Sequence, residues 1–390
     1  MTATIETLTG AAAEAVSGES AFGPRPRISE AMISEAQTLL GGAFKGNRRA
    51  LLQLQEALST SDFQAAVFDV LDRETLARYE DIVPVWRQYV STTTVRDFRA
   101  KRLVDLLGGK AALDPVPELG EYPARSISKA LYRITVRKYG GRFALSWEAM
   151  INDDIDELRD LPGSLAAAAR DTESRAAASL LTDGDGPNTT YFNATAWGRT
   201  YDEDDDSWSG GESNLLASNP VLSTDNLEAA LNAIQQRKDS EGRPIVVNGY
   251  VLVVPPALEF TARRILEARE IRITTGSTEV IYNNYVAGRV RLVVDPWLGV
   301  LDTGTNADTS WWILPDPAAS RKALFIASLR GHEAPELRVK ADTGQRVGGG
   351  NIPAEEGSFD IDDIQYRVRH VIGTAGTDMI ASAFSNGSGS

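Results

Sequence analysis

Carboxylates are the side chains in this sequence best placed, by type and spacing, to do chemistry. Asp202-Glu203-Asp204-Asp205-Asp206 sets five acidic residues in succession, and carboxylate oxygens bind hard cations such as Ca²⁺. Asp183-Gly184-Asp185-Gly186 echoes the start of a calcium-binding loop. Neither stretch continues into EF-hand spacing, because the distal bidentate Glu is missing. A solvated acidic loop is the better account, so no metal ligand is assigned. Asp153 and Asp154 are adjacent and would face different ways on a helix, which rules against an acid–base pair. Capping the following helix and complementing its dipole is the simpler role. His332 and His370 are the two histidines. No Gly-x-Ser-x-Gly elbow accompanies them, and structural roles are expected for both. Gly348-Gly349-Gly350 lacks the strand–helix context of a phosphate loop. Trp197, Trp208, Trp311 and Trp312 would suit a carbohydrate platform, but core packing and interface anchoring explain them better. Catalytic residues, cofactors and metals are therefore all expected to be none.

Composition narrows the classes further. The 390 residues suffice for two or three units with cores of their own. Absence of cysteine excludes disulfide frameworks, thiolate nucleophiles and Cys-based metal sites. A net charge of −14 argues against a surface built mainly to grip phosphates, though a container for DNA need not be basic overall. Met1 to Gly23 lacks the basic-then-apolar order of a signal peptide. No apolar run approaches the ~20 residues of a membrane span. A soluble protein folding in the cytoplasm is the expectation.

Two widely separated segments carry the clearest pattern. Tyr132–Gly140 and Gln365–Gly373 each alternate apolar or aromatic residues with Arg, so each is expected as a half-buried strand with one cationic face. Residues 1–30 are expected as an arm, with helices at 29–40, 48–59 and 62–80. Between residues 87 and 142, twelve Arg and Lys oppose five Asp and Glu, a local balance of +7. A two-stranded excursion is expected there, Thr92–Phe98 outward and Ser126–Tyr139 returning. Such a ribbon is marginal alone, which suggests that it lies against another chain. A short helix at Trp147–Asn152 precedes a long Ala-rich helix over 155–182, striped by Leu158, Leu161, Leu165, Ala169, Ala176 and Leu180, and starting or bending at Pro162. Residues 183–225 turn acidic, nine Asp and Glu against Arg199, a balance of −8. Thr224-Asp225 should cap a helix over Asn226–Arg237. Strands at 250–254, 271–274, 278–282, 289–294, 311–314, 323–329 and 365–372, with a helix at 256–269, indicate a mixed α/β region. The tail Ser385–Ser390 is expected to be flexible.

This order resembles the major capsid protein of tailed bacteriophages, the HK97-like fold, over roughly residues 60–386. The local stretches that carry the resemblance are Val116-Pro117-Glu118-Leu119-Gly120-Glu121-Tyr122, Lys138-Tyr139-Gly140-Gly141-Arg142-Phe143 and Glu148-Ala149-Met150-Ile151-Asn152-Asp153-Asp154. Toward the C-terminus they are Arg367-Val368-Arg369-His370 and Ala383-Phe384-Ser385-Asn386-Gly387. Within that family the chain is similar to actinobacterial phage and Mu-like prophage head subunits. The resemblance implies an α+β class with an N-terminal arm at 1–60, a helical lead-in at 61–92 and an extended β-hairpin loop at 93–143. It further implies a peripheral domain with a spine helix at 144–182, an acidic insertion at 183–222, a central axial domain at 223–317, and a return to the peripheral domain with a flexible tail at 318–390.

The implied function is structural, with no enzymatic role: self-assembly into pentamers and hexamers of an icosahedral head enclosing double-stranded DNA without sequence-specific binding. Scaffolding, portal and decoration proteins are the implied partners, with assembly in the host cytoplasm, a place in the virion and no membrane. Residues 1–60 are short for a cleaved scaffolding segment, and no Lys, Asn and Glu are assigned to cross-linking. An encapsulin-like compartment remains the alternative within the fold, and a Ca²⁺- or carbohydrate-binding enzyme the alternative outside it. The basic hairpin and the acidic insertion are natural complements between neighbouring subunits. The candidate interface residues are therefore Arg96, Arg99, Lys101, Arg102, Glu118, Glu121, Arg133, Arg137, Asp204, Asp205 and Asp206.

Overall fold

The computed structural model describes residues 34, 38, 73–107, 128–146, 155–193, 200–202, 207–209, 213–238, 244–268, 270–275, 278–340 and 363–389. Two compact units divide the chain, residues 1–73 and 74–390. In the first, the Thr38 hydroxyl donates to the Ser34 carbonyl one helical turn earlier, at 2.8 Å. Of the helix expected over 62–80, the stretch 73–80 is described and helical, and it continues to Asp81. The helices expected at 29–40, 48–59 and Trp147–Asn152, and the caps Asp153 and Asp154, fall largely or wholly outside the described residues.

The second unit begins with β1 (Ser91–Val95), β2 (Lys101–Leu107), β3 (Ser128–Ile134) and β4 (Arg137–Ser146). After α1 (Ile155–Ala178) come the short strands β5 (Thr200–Asp202) and β6 (Ser207–Ser209), then α2 (Thr224–Gln236) and β7 (Tyr250–Val254). Next are α3 (Glu259–Glu267), β8 (Glu270–Thr275), β9 (Thr278–Asn283), β10 (Val290–Val294) and α4 (Leu298–Leu301). The chain closes with β11 (Trp311–Pro315), β12 (Leu324–Leu329), β13 (Glu336–Val339), β14 (Asp363–Gly376) and β15 (Ala383–Ser385). The class is α+β.

Two strands hold the centre of one sheet. In the order β10-β7-β11-β15, β7 and β11 are buried along their whole length. A strand covered on both faces reads as an unbroken apolar run, as Tyr250-Val-Leu-Val-Val254 and Trp311-Trp-Ile-Leu314 do. Alternate side chains point to opposite faces. Val251, Val253, Trp312 and Leu314 join one core cluster, with Trp86, Tyr89, Leu181 and Phe384. Leu252, Val254, Trp311 and Ile313 join the other, with Leu227, Ile234 and Ala262. The second cluster is covered by α2, whose Leu227, Ala230, Leu231 and Ile234 recur at helical spacing. Its cap is Ser223, whose hydroxyl accepts from the Asn226 amide at 3.2 Å; the expected cap, Thr224-Asp225, forms the first turn instead. Ser223→Ala should cost about 1 kcal/mol, measured by chemical denaturation.

The other sheet is built round the 14-residue β14. β4 runs antiparallel along one edge, from Asp363↔Ser146 to Ile372↔Arg137. β13 and then β12 follow one another along the opposite edge, and β1 lies parallel to β12. The two Arg-bearing segments of the sequence are thus direct neighbours. The hairpin is a separate ribbon of β2 and β3, in register from Lys101↔Ile134 to Leu107↔Ser128. The expected outward strand, Thr92–Phe98, is corrected: Ser91–Val95 is β1 of the main sheet. Asp97, whose carboxylate accepts from the Arg99 amide at 3.1 Å, turns the chain before the ribbon starts. The expected single return strand is likewise broken at Thr135-Val136, where β3 leaves the ribbon and β4 enters the sheet.

α1 runs from Ile155 straight through Pro162, so Pro162 is not its start. Its buried stripe is Leu165, Ala166, Ala169, Arg170, Glu173, Ala177 and Ala178, while Ala176 is half-exposed. Leu165, Ala169 and Leu180 of the expected stripe are buried, and Arg170 and Glu173 join them, charged positions that a count of apolar residues leaves out. The tail is also corrected, being fixed as far as Gly389. β15 pairs with β11, the Thr309 hydroxyl donates to the Asn386 carbonyl at 2.7 Å, and the Gly389 amide donates to Asn219 at 2.7 Å. Gly387 takes φ +67° against the Thr309 carbonyl, where a β-carbon would collide. The chain therefore ends in the β7–β11 sheet, not in the sheet of β14.

Candidate assembly interface

Strand parity places the hairpin root and a row of arginines on one sheet face. Residues of β14 two apart share a side, so Val371, Gly373 and Ala375 face the same way as Arg367 and Arg369. Ile134 and Val136, at the root of the hairpin, bury with Val371, Ala375, Val95, Ala327 and Leu329 in a small cluster. Gly373 meets the Thr135 carbonyl so closely that no side chain would fit. Further along this face the cover ends. Arg142 of β4, Arg367 of β14 and Arg338 of β13 lie directly opposite one another across three strands, all of them solvent-facing at least in part. Neighbouring strands are about 4.8 Å apart, and like charges side by side on one face repel.

The carboxylate of Glu336 answers only one end of this row. It pairs with Arg338 at 2.9 Å, Arg369 at 2.6 Å and the His332 imidazole. Partial burial would raise its pKa, but those three donors win and hold it below the usual value. Among the described residues Arg142 reaches the Gln365 amide oxygen, at 3.5 Å. Among the described residues neither Arg142 nor Arg367 has a carboxylate partner.

The opposite face of β14 is closed by a buried polar network. His370 Nε2 lies 2.9 Å from Glu173 Oε1 on α1, both residues 3% exposed. The Tyr79 hydroxyl donates to the same oxygen. Arg170 Nη1 pairs with Glu173 Oε2 at 3.0 Å, its Nε and Nη2 donate to the Tyr79 carbonyl at 2.9 and 2.6 Å, and its guanidinium stacks 3.5 Å over the Tyr79 ring. Burial alone would raise the Glu173 pKa; hydrogen bonds from His370 and Tyr79 and the charge of Arg170 lower it overall. Burial and the Glu173 charge push the Tyr79 phenol up. With Glu173 held as an acceptor, His370 Nε2 must carry the proton of their bond. The network is a clamp joining three elements: the helix that ends at Asp81, α1 and β14. A second tie, Tyr89 donating to Asp295 Oδ2 at 2.6 Å, fixes the 85–90 segment to the end of β10; burial raises the Asp295 pKa.

Residues 131–381 match the family described as phage capsid protein. The chain belongs to the phage capsid protein family. This capsid protein is thus a structural subunit and a virion component. No curated protein matches it. A solved structure from Mycobacterium phage Patience is similar at 14% identity, covering 83% of this chain and 89% of that one, with a TM-score of 0.45. The capsid of an empty GTA particle is similar at 11% identity, covering 78% and 90%, with a TM-score of 0.43. The holo-SrpI encapsulin complex of Synechococcus elongatus is similar at 12% identity, covering 79% and 89%, with a TM-score of 0.41. Among the described residues, no helix is long and apolar enough to cross a membrane.

Six of the candidate interface residues of the capsid protein gather at the hairpin root. Arg96 and Arg99 are exposed in the turn before it, and Arg137 opens β4. Arg102 and Arg133 lie directly opposite within the ribbon, both exposed. Lys101 behaves differently: its ammonium donates to the Thr94 carbonyl at 2.7 Å and the Thr93 hydroxyl at 3.3 Å, bracing the ribbon on β1. Glu118, Glu121, Asp204, Asp205 and Asp206 lie outside the described residues. Sequence reasoning left Arg142, Arg338 and Arg367 out of the candidate set. The Arg alternation around 367 and 142 was visible, but the register that aligns them across three strands was not. Trp311 and Trp312 are core residues, fully buried.

Proposed function

We propose that this capsid subunit assembles with copies of itself into pentamers and hexamers of an icosahedral phage head around double-stranded DNA, and performs no reaction of its own. On this reading the chain follows the HK97-like plan: an arm at 1–60, a lead-in at 61–92, and the extended loop within 93–143 with its ribbon at 101–134. A peripheral domain carries the spine helix α1, the acidic insertion spans 183–222, and the axial domain lies at 223–317. Scaffolding, portal and decoration proteins would be its further partners, and assembly would take place in the host cytoplasm.

The observation that carries this reading is the arginine row beside the hairpin root. Repelling charges on an exposed sheet face are stabilised when an acidic segment of another subunit covers them. The acidic residues Asp204, Asp205 and Asp206, with Glu118 and Glu121, supply that charge in every copy. The row and the acidic run would then meet between subunits, not within one.

Electron microscopy of the purified protein, with and without scaffolding protein, tests the proposal. Rings, shell fragments or closed particles are expected, and a monomer at high concentration would sink it. Particles filled with a protein cargo in place of DNA would favour the encapsulin-like alternative. Replacing residues 103–131 by a short turn should abolish particles while leaving a subunit that still unfolds cooperatively and keeps its helical circular dichroism. Normal particles from that variant would remove the ribbon from the assembly interface.

A further inference from the structure

The Asp183-Gly184-Asp185-Gly186 turn lacks a closing carboxylate in its own sequence, but the fold brings one to it. Asp302, just after α4 and 4% exposed, meets the turn from 116 residues away. Its Oδ1 accepts from the Gly186 amide at 3.2 Å and the Gly304 amide at 2.9 Å. Its Oδ2 is equally buried and has no partner. A buried carboxylate oxygen left unpaired is costly, so an arrangement that retains one calls for an occupant.

A second carboxylate lies beside Asp302. A β-carbon on Gly304 would lie 2.6 Å from Asp185 Oδ1 and 3.1 Å from Asp302 Oδ1. Glycine at 304 is what lets the two carboxylates approach one another this closely. Asp183 does not take part, because its carboxylate turns to the Thr189 amide at 3.5 Å. The turn itself is held firmly. Thr182 bridges to Pro187, the Thr182 hydroxyl donates to the Gly186 carbonyl at 2.5 Å, and Thr303 donates through its amide and hydroxyl to the Gly184 carbonyl at 3.0 and 2.9 Å.

We propose that the carboxylate pair of Asp302 and Asp185, at the Asp183–Gly186 turn, is a Ca²⁺ site, with Asp302 Oδ2 and the Asp185 carboxylate as its charged ligands. Oxygen donors define it, which selects a hard cation over zinc or other N- and S-seeking metals. Among the described residues no three His, Cys, Asp or Glu side chains form a metal cluster, so backbone carbonyls and water complete the shell. That mixed, irregular shell suits Ca²⁺, which accepts six to eight oxygens in flexible geometry, better than octahedral Mg²⁺. With two carboxylates, affinity falls in the weak class, on the order of 10⁻⁴–10⁻³ M.

Isothermal titration of Ca²⁺ into the chelator-treated full-length protein tests this, alongside Asp302→Asn, Asp185→Asn and an Asp204→Asn/Asp205→Asn/Asp206→Asn triple variant. Asp302→Asn keeps an acceptor for the Gly186 and Gly304 amides while removing the charge. Saturable binding is expected for the unaltered chain, weakened at least tenfold in both single variants and unchanged in the triple. No saturable binding, or single variants that bind as the unaltered chain does, would overturn the site. Loss of binding in the triple variant alone would assign the cation to the acidic run instead. Should Asp302→Asn fail to fold, the exposed Asp185→Asn decides the outcome by itself.

Discussion

Glu173→Ala should destabilise the subunit by about 3–5 kcal/mol, the largest loss expected from any single polar residue described here. Its carboxylate is the one anion inside the clamp, facing Arg170 at 3.0 Å, His370 at 2.9 Å and the Tyr79 hydroxyl. Removing it leaves the Arg170 guanidinium buried without a counter-charge, the costly way to break such a pair. It also strips Tyr79 and His370 of their acceptor, and His370 Nδ1 is already buried without a partner. Glu173→Gln keeps an acceptor and should lose less, which separates the charge from the hydrogen bonds. The pH dependence has a definite sign. The folded-state pKa of Glu173 lies below the ordinary 4.5, so its contribution is fully present above that value. It is lost as the pH falls through the lower folded value. Denaturant titrations from neutral pH down through the carboxylate range should converge for the native and Gln subunits. A Glu173→Ala loss under about 1 kcal/mol at neutral pH, far below the range for a broken buried pair, would mean that the clamp is not holding α1 to β14.

How much of this was legible beforehand depended on whether the signal was local. β7 and β11 were legible because burial on both faces forces an unbroken apolar run, visible in Tyr250–Val254 and Trp311–Leu314 without any partner. α2 was legible from Leu227, Ala230, Leu231 and Ile234 at helical spacing, with its cap misplaced by one residue. The face of α1 was legible at Leu165 and Ala169 but not at Arg170 and Glu173, which count as solvent residues until His370 and Tyr79 are known to meet them. The hairpin was foreseen from its basic, proline-punctuated composition, but its outward strand was set too early. A β-branched run such as Ser91-Thr-Thr-Thr-Val95 looks the same in a ribbon and in a sheet. The tail looked mobile because Ser, Gly and Asn dominate it, yet Phe384 and backbone pairing anchor it. Interface candidates chosen by charge reached the hairpin root but missed the row across β4, β14 and β13, since cross-strand register is absent from any single segment.

That register leads to the expected effect on assembly. Arg142→Glu combined with Arg367→Glu should leave the isolated subunit folded, since both side chains are exposed and neither holds a carboxylate among the described residues. Reversal at 367 turns its repulsion with Arg338 into attraction while the 142–367 pair stays like-charged, so the stability of the monomer should change little. Each exposed ion pair across an interface contributes at most about 1 kcal/mol. Breaking two such pairs per subunit thus costs roughly 2 kcal/mol, about a thirtyfold rise in the concentration at which particles form. Reversal also places like charges together, which adds to the loss of the pairs themselves. Light scattering against subunit concentration measures it. Reversing Asp204, Asp205 and Asp206 to Lys in the same chain should restore assembly in part, because the row and its partner would again be opposite in sign. Screening supplies an independent check. The Debye length shrinks from about 10 Å at 0.1 M salt to about 3 Å at 1 M, so assembly of the unaltered subunit should weaken with salt more steeply than that of the doubly reversed one. Equal salt dependence, or particles from Arg142→Glu/Arg367→Glu at the ordinary concentration, would show that the row faces solvent in the shell.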